Sequence, residues 1–159
     1  MPADTIDSEV LDTLIDELDL KSENAHCADR TDDYWVCQRR HPRHPFRTTC
    51  RVRFFPVGSS AVSCLPGRTR NLSRNGVGLL VRRVFSMEEP IEVEISTPGR
   101  PKTFMAGLVR FCRYAGRGYH EIGVLLKAAG NEPIFSKNPS LSMETLDWLK
   151  ARNEGTQSR

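Results

Sequence analysis

The sequence lacks any long apolar run: the longest, Val77 to Val81 and Ile122 to Leu126, fall far short of the roughly 20 residues that cross a bilayer as a helix. No membrane-spanning helix is predicted. It also lacks a CxxC pair. The cysteines at 27, 37, 50, 64 and 112 are odd in number, so neither a disulfide framework nor a zinc knuckle is indicated, and reduced thiols are expected. The opening MPADTIDSEV is acidic, without the positive region and apolar stretch of a signal peptide, which points to a cytoplasmic protein. His26, Cys27, Cys37, His41 and His44 lie near one another in sequence, but their spacing fits no familiar structural zinc pattern and neighbouring arginines repel a cation, so no metal is expected. No nucleophile, base and orienting group stand in a recognisable arrangement, and an enzyme is not indicated. His41 and His44 are the sole tempting acid–base candidates.

What is present is charge, unevenly distributed. The 159 residues carry a formal net charge of +3. Residues 1 to 20 hold seven acids (Asp4, Asp7, Glu9, Asp12, Asp16, Glu17, Asp19) and no base, whereas residues 34 to 87 hold eleven arginines and no Asp, Glu or Lys. The second block creates a positive field that suits an anionic partner. Its bases are all arginine, whose planar guanidinium grips phosphate or a guanine edge bidentately and stacks on ring faces. This favours nucleotide recognition over simple neutralisation. The alternative is a solvated basic face that balances the acidic N-terminus. The absence of carboxylates from the block also removes the ligands a phosphoryl-transfer metal needs.

The chain suits one domain with tails. Ile6, Val10, Leu11, Leu14, Ile15 and Leu18 recur at helical spacing with acids between them, predicting an amphipathic acidic helix over 5–20, capped by Asp4 or Asp7. Residues 21–33 lack periodicity and read as a linker. From about 46 onward, short segments rich in Val, Ile, Phe and Thr are punctuated by Gly and Pro. Strands are expected near 46–55, 61–72, 76–83, 90–96, 102–114 and 118–127, with the clearest alternation in Ile91-Glu92-Val93-Glu94-Ile95. No helix-length pattern separates them, so the sheet should be antiparallel, and six such strands suggest a small closed barrel. Leu141, Thr145, Leu146 and Leu149 return to helical spacing, predicting a second helix over 141–152.

Two short elements flank the first strand pair. QRRHPRHPFR at 38–47 contains Arg39-x-x-x-Arg43, and RNLSRNGVGLL at 70–80 contains Asn71-x-Ser73-x-x-Gly76. Each alone is weak. Their order, their separation of about 30 residues, the strand between them, Pro45 after Arg43 and the closing YHEIGVLL at 119–126 together resemble the PilZ domain over roughly residues 36–128. Arg43-x-x-x-Arg47 fits as a second register, but it would run the first motif into a strand.

The resemblance implies an all-β, six-stranded antiparallel barrel with flanking N- and C-terminal helices, arranged as residues 1–35 (helix and linker), 36–128 (barrel with its arginine arm) and 129–159 (linker, helix and tail). It further implies binding of cyclic di-GMP, with Arg39, Arg43 and the auxiliary Arg40 on the arm, and Asn71, Ser73 and Gly76 on the barrel. Arginines can bond a guanine O6/N7 edge or phosphate oxygens, Asn71 can pair with a base, Ser73 can donate to a phosphate, and Gly76 permits close approach or a positive φ. Tyr34 and Trp35 are expected to pack the arm against the barrel. With no output domain in the chain, a receptor of this kind signals through an unidentified protein partner. A nucleotide-independent interaction adaptor, its acidic helix paired to the arginine face, is the alternative. Nucleic acid is disfavoured because Tyr34, Phe54 and Phe55 form no stacking pattern.

Overall fold

A computed structural model describes residues 6–28, 43–56 and 61–135, with backbone alone for 22–28. Helix α1 (Ser8–Ala28) precedes seven strands: β1 (His44–Pro45), β2 (Thr49–Phe54), β3 (Ser63–Leu72), β4 (Gly76–Val81), β5 (Pro90–Ile95), β6 (Thr103–Gly116) and β7 (Tyr119–Gly130). The strands β3-β2-β5-β6-β7-β4 are hydrogen-bonded in that order, and β4 returns to β3, closing a six-stranded antiparallel barrel. Closure removes the exposed sheet edges that would otherwise invite pairing with another chain. The short β1 lies outside the ring and pairs with the far end of β3, His44 opposite Leu72 and Pro45 opposite Asn71.

Alternation sorts the side chains. Val52, Phe54, Val77, Leu79, Val81, Ile91, Val93, Val109, Ile122 and Val124 fill the barrel, each contributing roughly 1.5–3 kcal/mol if fully buried. Cys50 lies among them, and burial pushes its thiol up to about 12, so it behaves as a small apolar group. On the opposite face of β5, Glu92 and Glu94 are both buried. They survive there because the Arg53 guanidinium on the adjacent strand reaches both, at 3.0 and 2.8 Å. Glu92 also accepts the backbone N–H groups of Ile134 and Phe135, fastening the segment after β7 where Phe135 packs beside Phe55 and Ala106.

Helix α1 begins at an Asp7 cap whose Oδ1 accepts the N–H groups of Glu9 and Val10 at 3.1 and 3.2 Å. Leu11, Leu14 and Ile15 are buried against Leu80 and Tyr119 on the outside of the barrel. The expected linker at 21–33 is corrected in part, since the helix continues through Ala28. Lys21-Ser22-Glu23-Asn24-Ala25 contains no Gly or Pro, so backbone propensity carries the helix on after the apolar stripe that signals packing has ended. The predicted helix over 141–152, Asp4, and Tyr34 and Trp35 lie outside the described residues. Among the described residues no helix is long and apolar enough to cross a membrane, and no group of His, Cys, Asp and Glu is placed to hold a metal ion.

Candidate ligand cavity

The second motif sits where β3 breaks its regular register. A bulge between Thr69 and Asn71 leaves Arg70 as the extra residue, so Arg70 and Asn71 both project from the outer face. The arm is stitched to this point. Phe46 N–H donates to the Arg70 carbonyl at 3.0 Å, while the buried Thr69 hydroxyl donates to the Phe46 carbonyl at 2.7 Å and accepts from the Thr48 N–H at 2.9 Å. These bonds deliver the chain just before β1, and with it Arg43, to the side of Asn71.

Between β3 and β6 the outer face is floored by glycine. Gly78 faces Asn71 on β3 and Gly123 on β7, and Gly123 faces Phe111 on β6. A Cβ on Gly78 would come within 2.6 Å of Asn71 Oδ1, and one on Gly123 within 2.2 Å of the Phe111 ring. The Asn71 amide and the Phe111 ring therefore lie over bare backbone. At the start of β4 the turn from β3 is closed by the Ser73 N–H donating to the Gly76 carbonyl at 2.8 Å. Gly76 has no positive φ. Of its two expected roles, the geometry leaves close approach, since a Cβ there would sit 3.3 Å from both Ser73 Oγ and the Val124 carbonyl.

The result is a cavity of about 460 Å³ lined by Arg43, Asn71, Ser73, Gly76, Gly78, Arg110, Phe111, Glu121 and Gly123, among others, within the range of small-molecule sites. Four residues singled out from the sequence, Arg43, Asn71, Ser73 and Gly76, thus share one cavity. Arg39 and Arg40 lie outside the described residues. Arg47, the other register, turns away to Asp16 and Asp19 of α1 at 2.7 and 3.2 Å, and these hydrogen bonds hold its pKa above the ordinary arginine value despite partial burial.

Sequence reasoning missed the carboxylate. Glu121 reaches the cavity from β7, outside the acid-free block, and is buried between Arg70 and Arg113. Arg70 Nε bonds Asp19 of α1 at 2.8 Å. Burial works against the Arg70 charge, yet Glu121 and Asp19 more than offset it and raise its pKa. A lone acid inside the apolar strand YHEIGVLL was the available signal, because such a charge needs a partner. Arg110 and Phe111 were missed as well. Their signal was the broken alternation of Val109-Arg110-Phe111-Cys112, in which Val109 and Cys112 both face the core.

A comparison with family models matches residues 38–130 to the PilZ domain, and the chain belongs to the PilZ domain family. Among solved structures it is similar to the Bacillus subtilis inhibitor of motility MotI/DgrA, at 12% identity and a TM-score of 0.41 over 74% of this chain. The chain spans 52% of that protein. No curated protein sequence matches it.

Proposed function

On the premise that this is a PilZ domain, we propose that the cavity binds cyclic di-GMP and that the chain acts as a receptor rather than an enzyme, signalling through a protein partner. The observation that carries this reading is the convergence of Arg43, from one sequence element, with Asn71, Ser73 and Gly76, from another, around a single glycine-floored cavity. Arg39 and Arg43 close from the arm and supply most of the affinity through charge-assisted bonds to phosphate and to guanine O6/N7, with Arg40 as an auxiliary contact. Asn71 orients a base, Ser73 donates to a phosphate, and Gly76 lets the ligand approach the backbone. Arg47, four positions beyond Arg43, holds Asp16 and Asp19, so ordering of the arm on the ligand is transmitted to α1 as a shift in its docked population.

Calorimetric titration with cyclic di-GMP tests the reading. Saturable binding is expected for the intact chain, with affinity lowered by about 10- to 100-fold in Arg43→Ala, the effect of losing a charge-assisted bond of roughly 1.5–3 kcal/mol. A chain that binds as tightly after Arg39→Ala or Arg43→Ala as before would eliminate this site.

The second reading is a nucleotide-independent adaptor. It is favoured by the pairing of the α1 acids with Arg47, Arg68 and Arg70, which lets helix and barrel present one composite surface with no ligand. A melting temperature unchanged by saturating nucleotide selects it, because a ligand specific for the native state must raise that temperature.

A further inference from the structure

We propose that Arg110 is a ligand contact of this cavity, taking an anionic or guanine group of the nucleotide from the side opposite the arm. The inference rests on the reading that the cavity takes cyclic di-GMP and adds a residue that neither sequence motif contains.

Three observations lead to it. First, β6 carries a bulge between Val109 and Phe111. Val109 pairs with Val124 and Phe111 with Gly123, leaving Arg110 as the extra residue. Bulges re-aim side chains, and this one sends an arginine outward beside the glycine floor, where it lines the cavity. Second, Arg110 is exposed, and among the described residues it has no ion-pair or hydrogen-bond partner. Arg113, three residues on, is instead committed to Glu121 at 2.6 Å. The other bulged arginine, Arg70, is committed to Asp19 and Glu121. Two bulges thus each place an arginine by the cavity, and the one on β6 keeps its guanidinium available.

Third, the two cationic edges of the cavity are far apart. Arg43 stands at the β1–β3 side and Arg110 on β6, and the floor between β3 and β6 covers three strand spacings, about 14 Å. One phosphate cannot lie beside both strands. A cyclic dinucleotide carries two phosphates and two bases, and so offers groups to both edges at once. In such a complex Arg43 and the second motif hold one half and Arg110 engages the other, as a bidentate guanidinium does with phosphate oxygens or a guanine edge.

The test is calorimetric titration of the full chain with cyclic di-GMP, comparing the parent with Arg110→Ala, Arg110→Lys and Arg100→Ala. Arg100 is an exposed arginine in the β5–β6 loop that does not line the cavity, so its loss removes the same charge elsewhere. The expected result is at least a tenfold loss of affinity in Arg110→Ala, partial recovery in Arg110→Lys, and a change of less than about twofold in Arg100→Ala. Parental affinity in Arg110→Ala overturns the proposal. So does an equal loss in Arg100→Ala, which would make the effect one of overall charge. Loss in both position-110 variants with a lowered melting temperature of the free protein also overturns it, assigning Arg110 a structural role. A parent that binds no cyclic di-GMP at all sinks the ligand reading itself, an outcome distinct from these.

Discussion

Two neighbouring patches on the outside of the barrel use the same strands and the same arginine-rich sequence, yet one is covered and the other open. On β4 the outward residues run Gly76, Gly78, Leu80, and on β7 they run Tyr119, Glu121, Gly123. Where Leu80 and Tyr119 stand, Leu11, Leu14 and Ile15 of α1 cover them, and helix acids meet Arg47, Arg68 and Arg70. One pleat further along, glycine replaces the apolar side chain on both strands, the Asn71 amide and the Phe111 ring lie over it, and a cavity remains lined by Arg43 and Arg110. The positive field written in residues 34–87 is therefore not one binding face. Part of it is neutralised by the acidic helix from the same chain, while Arg43 and Arg110 line the neighbouring cavity.

The patches meet at Glu121, and removing its carboxylate should produce the largest effect. Glu121→Ala leaves the buried Arg70 guanidinium without its strand partner while Asp19 remains. Truncating one member of a buried ion pair costs about 3–5 kcal/mol, so urea unfolding should show a loss of that order. Arg113, which is largely exposed, can be resolvated and adds little. A loss below about 1 kcal/mol would mean that the two patches stand without a shared support.

Ile15→Ala acts on the covered patch alone. The side chain is fully buried beneath α1, and the expected cost is about 2–3 kcal/mol, the low end for such truncations because a surface-docked helix can resettle. Hydrogen exchange should accelerate over Ser8–Ala28 while the strand amides keep their protection. If occupancy of the cavity shifts α1, linkage requires the loosened helix to alter ligand affinity in return. The proposed direction is a tighter complex with cyclic di-GMP in Ile15→Ala, and an unchanged affinity would separate the two patches energetically.

The barrel was legible because alternation survives in most strands: Ile91, Val93 and Ile95 announce β5 and its facing in three letters. What stayed hidden follows from long-range pairing. Nothing near Asp12 in sequence indicates Arg68, and Glu121 looks isolated until β3 and β6 bring Arg70 and Arg113 beside it. The bulges were hidden for a related reason. An extra residue on one strand is defined by its partner strand, so Arg70 reads locally as an ordinary polar position, and at Arg110 the broken alternation of 109–112 is the one local trace of the bulge. Of the candidate site, the portion carried by compact motifs was legible (Arg43, Asn71, Ser73, Gly76), and the portion assembled across β6 and β7 was not. The end of α1 was misjudged for another reason: apolar periodicity marks where a helix packs, and backbone propensity continued it past that point.

The smallest expected effect concerns whether charge or apolar contact holds the covered patch. Asp12 and Arg68 form a two-point ion pair, with Arg68 Nε 2.7 Å from Oδ1 and Nη2 3.2 Å from Oδ2. The Arg68 side chain is 14% exposed but Asp12 is 37% exposed, so solvent screening discounts the pair toward the surface range. A double-mutant cycle on Asp12→Ala and Arg68→Ala should give a coupling of about 0.5–1 kcal/mol, shrinking as sodium chloride is raised because the Debye length shortens to about 3 Å near 1 M. The apolar cluster beneath the helix should not weaken with salt in the same way. A coupling near zero would leave Leu11, Leu14 and Ile15 as the sole anchors, with the acids only directing the helix to its register. A coupling well above 2 kcal/mol would make the arginines the anchor instead, and a ligand drawing on Arg47 or Arg70 could then release α1 without touching a single apolar contact.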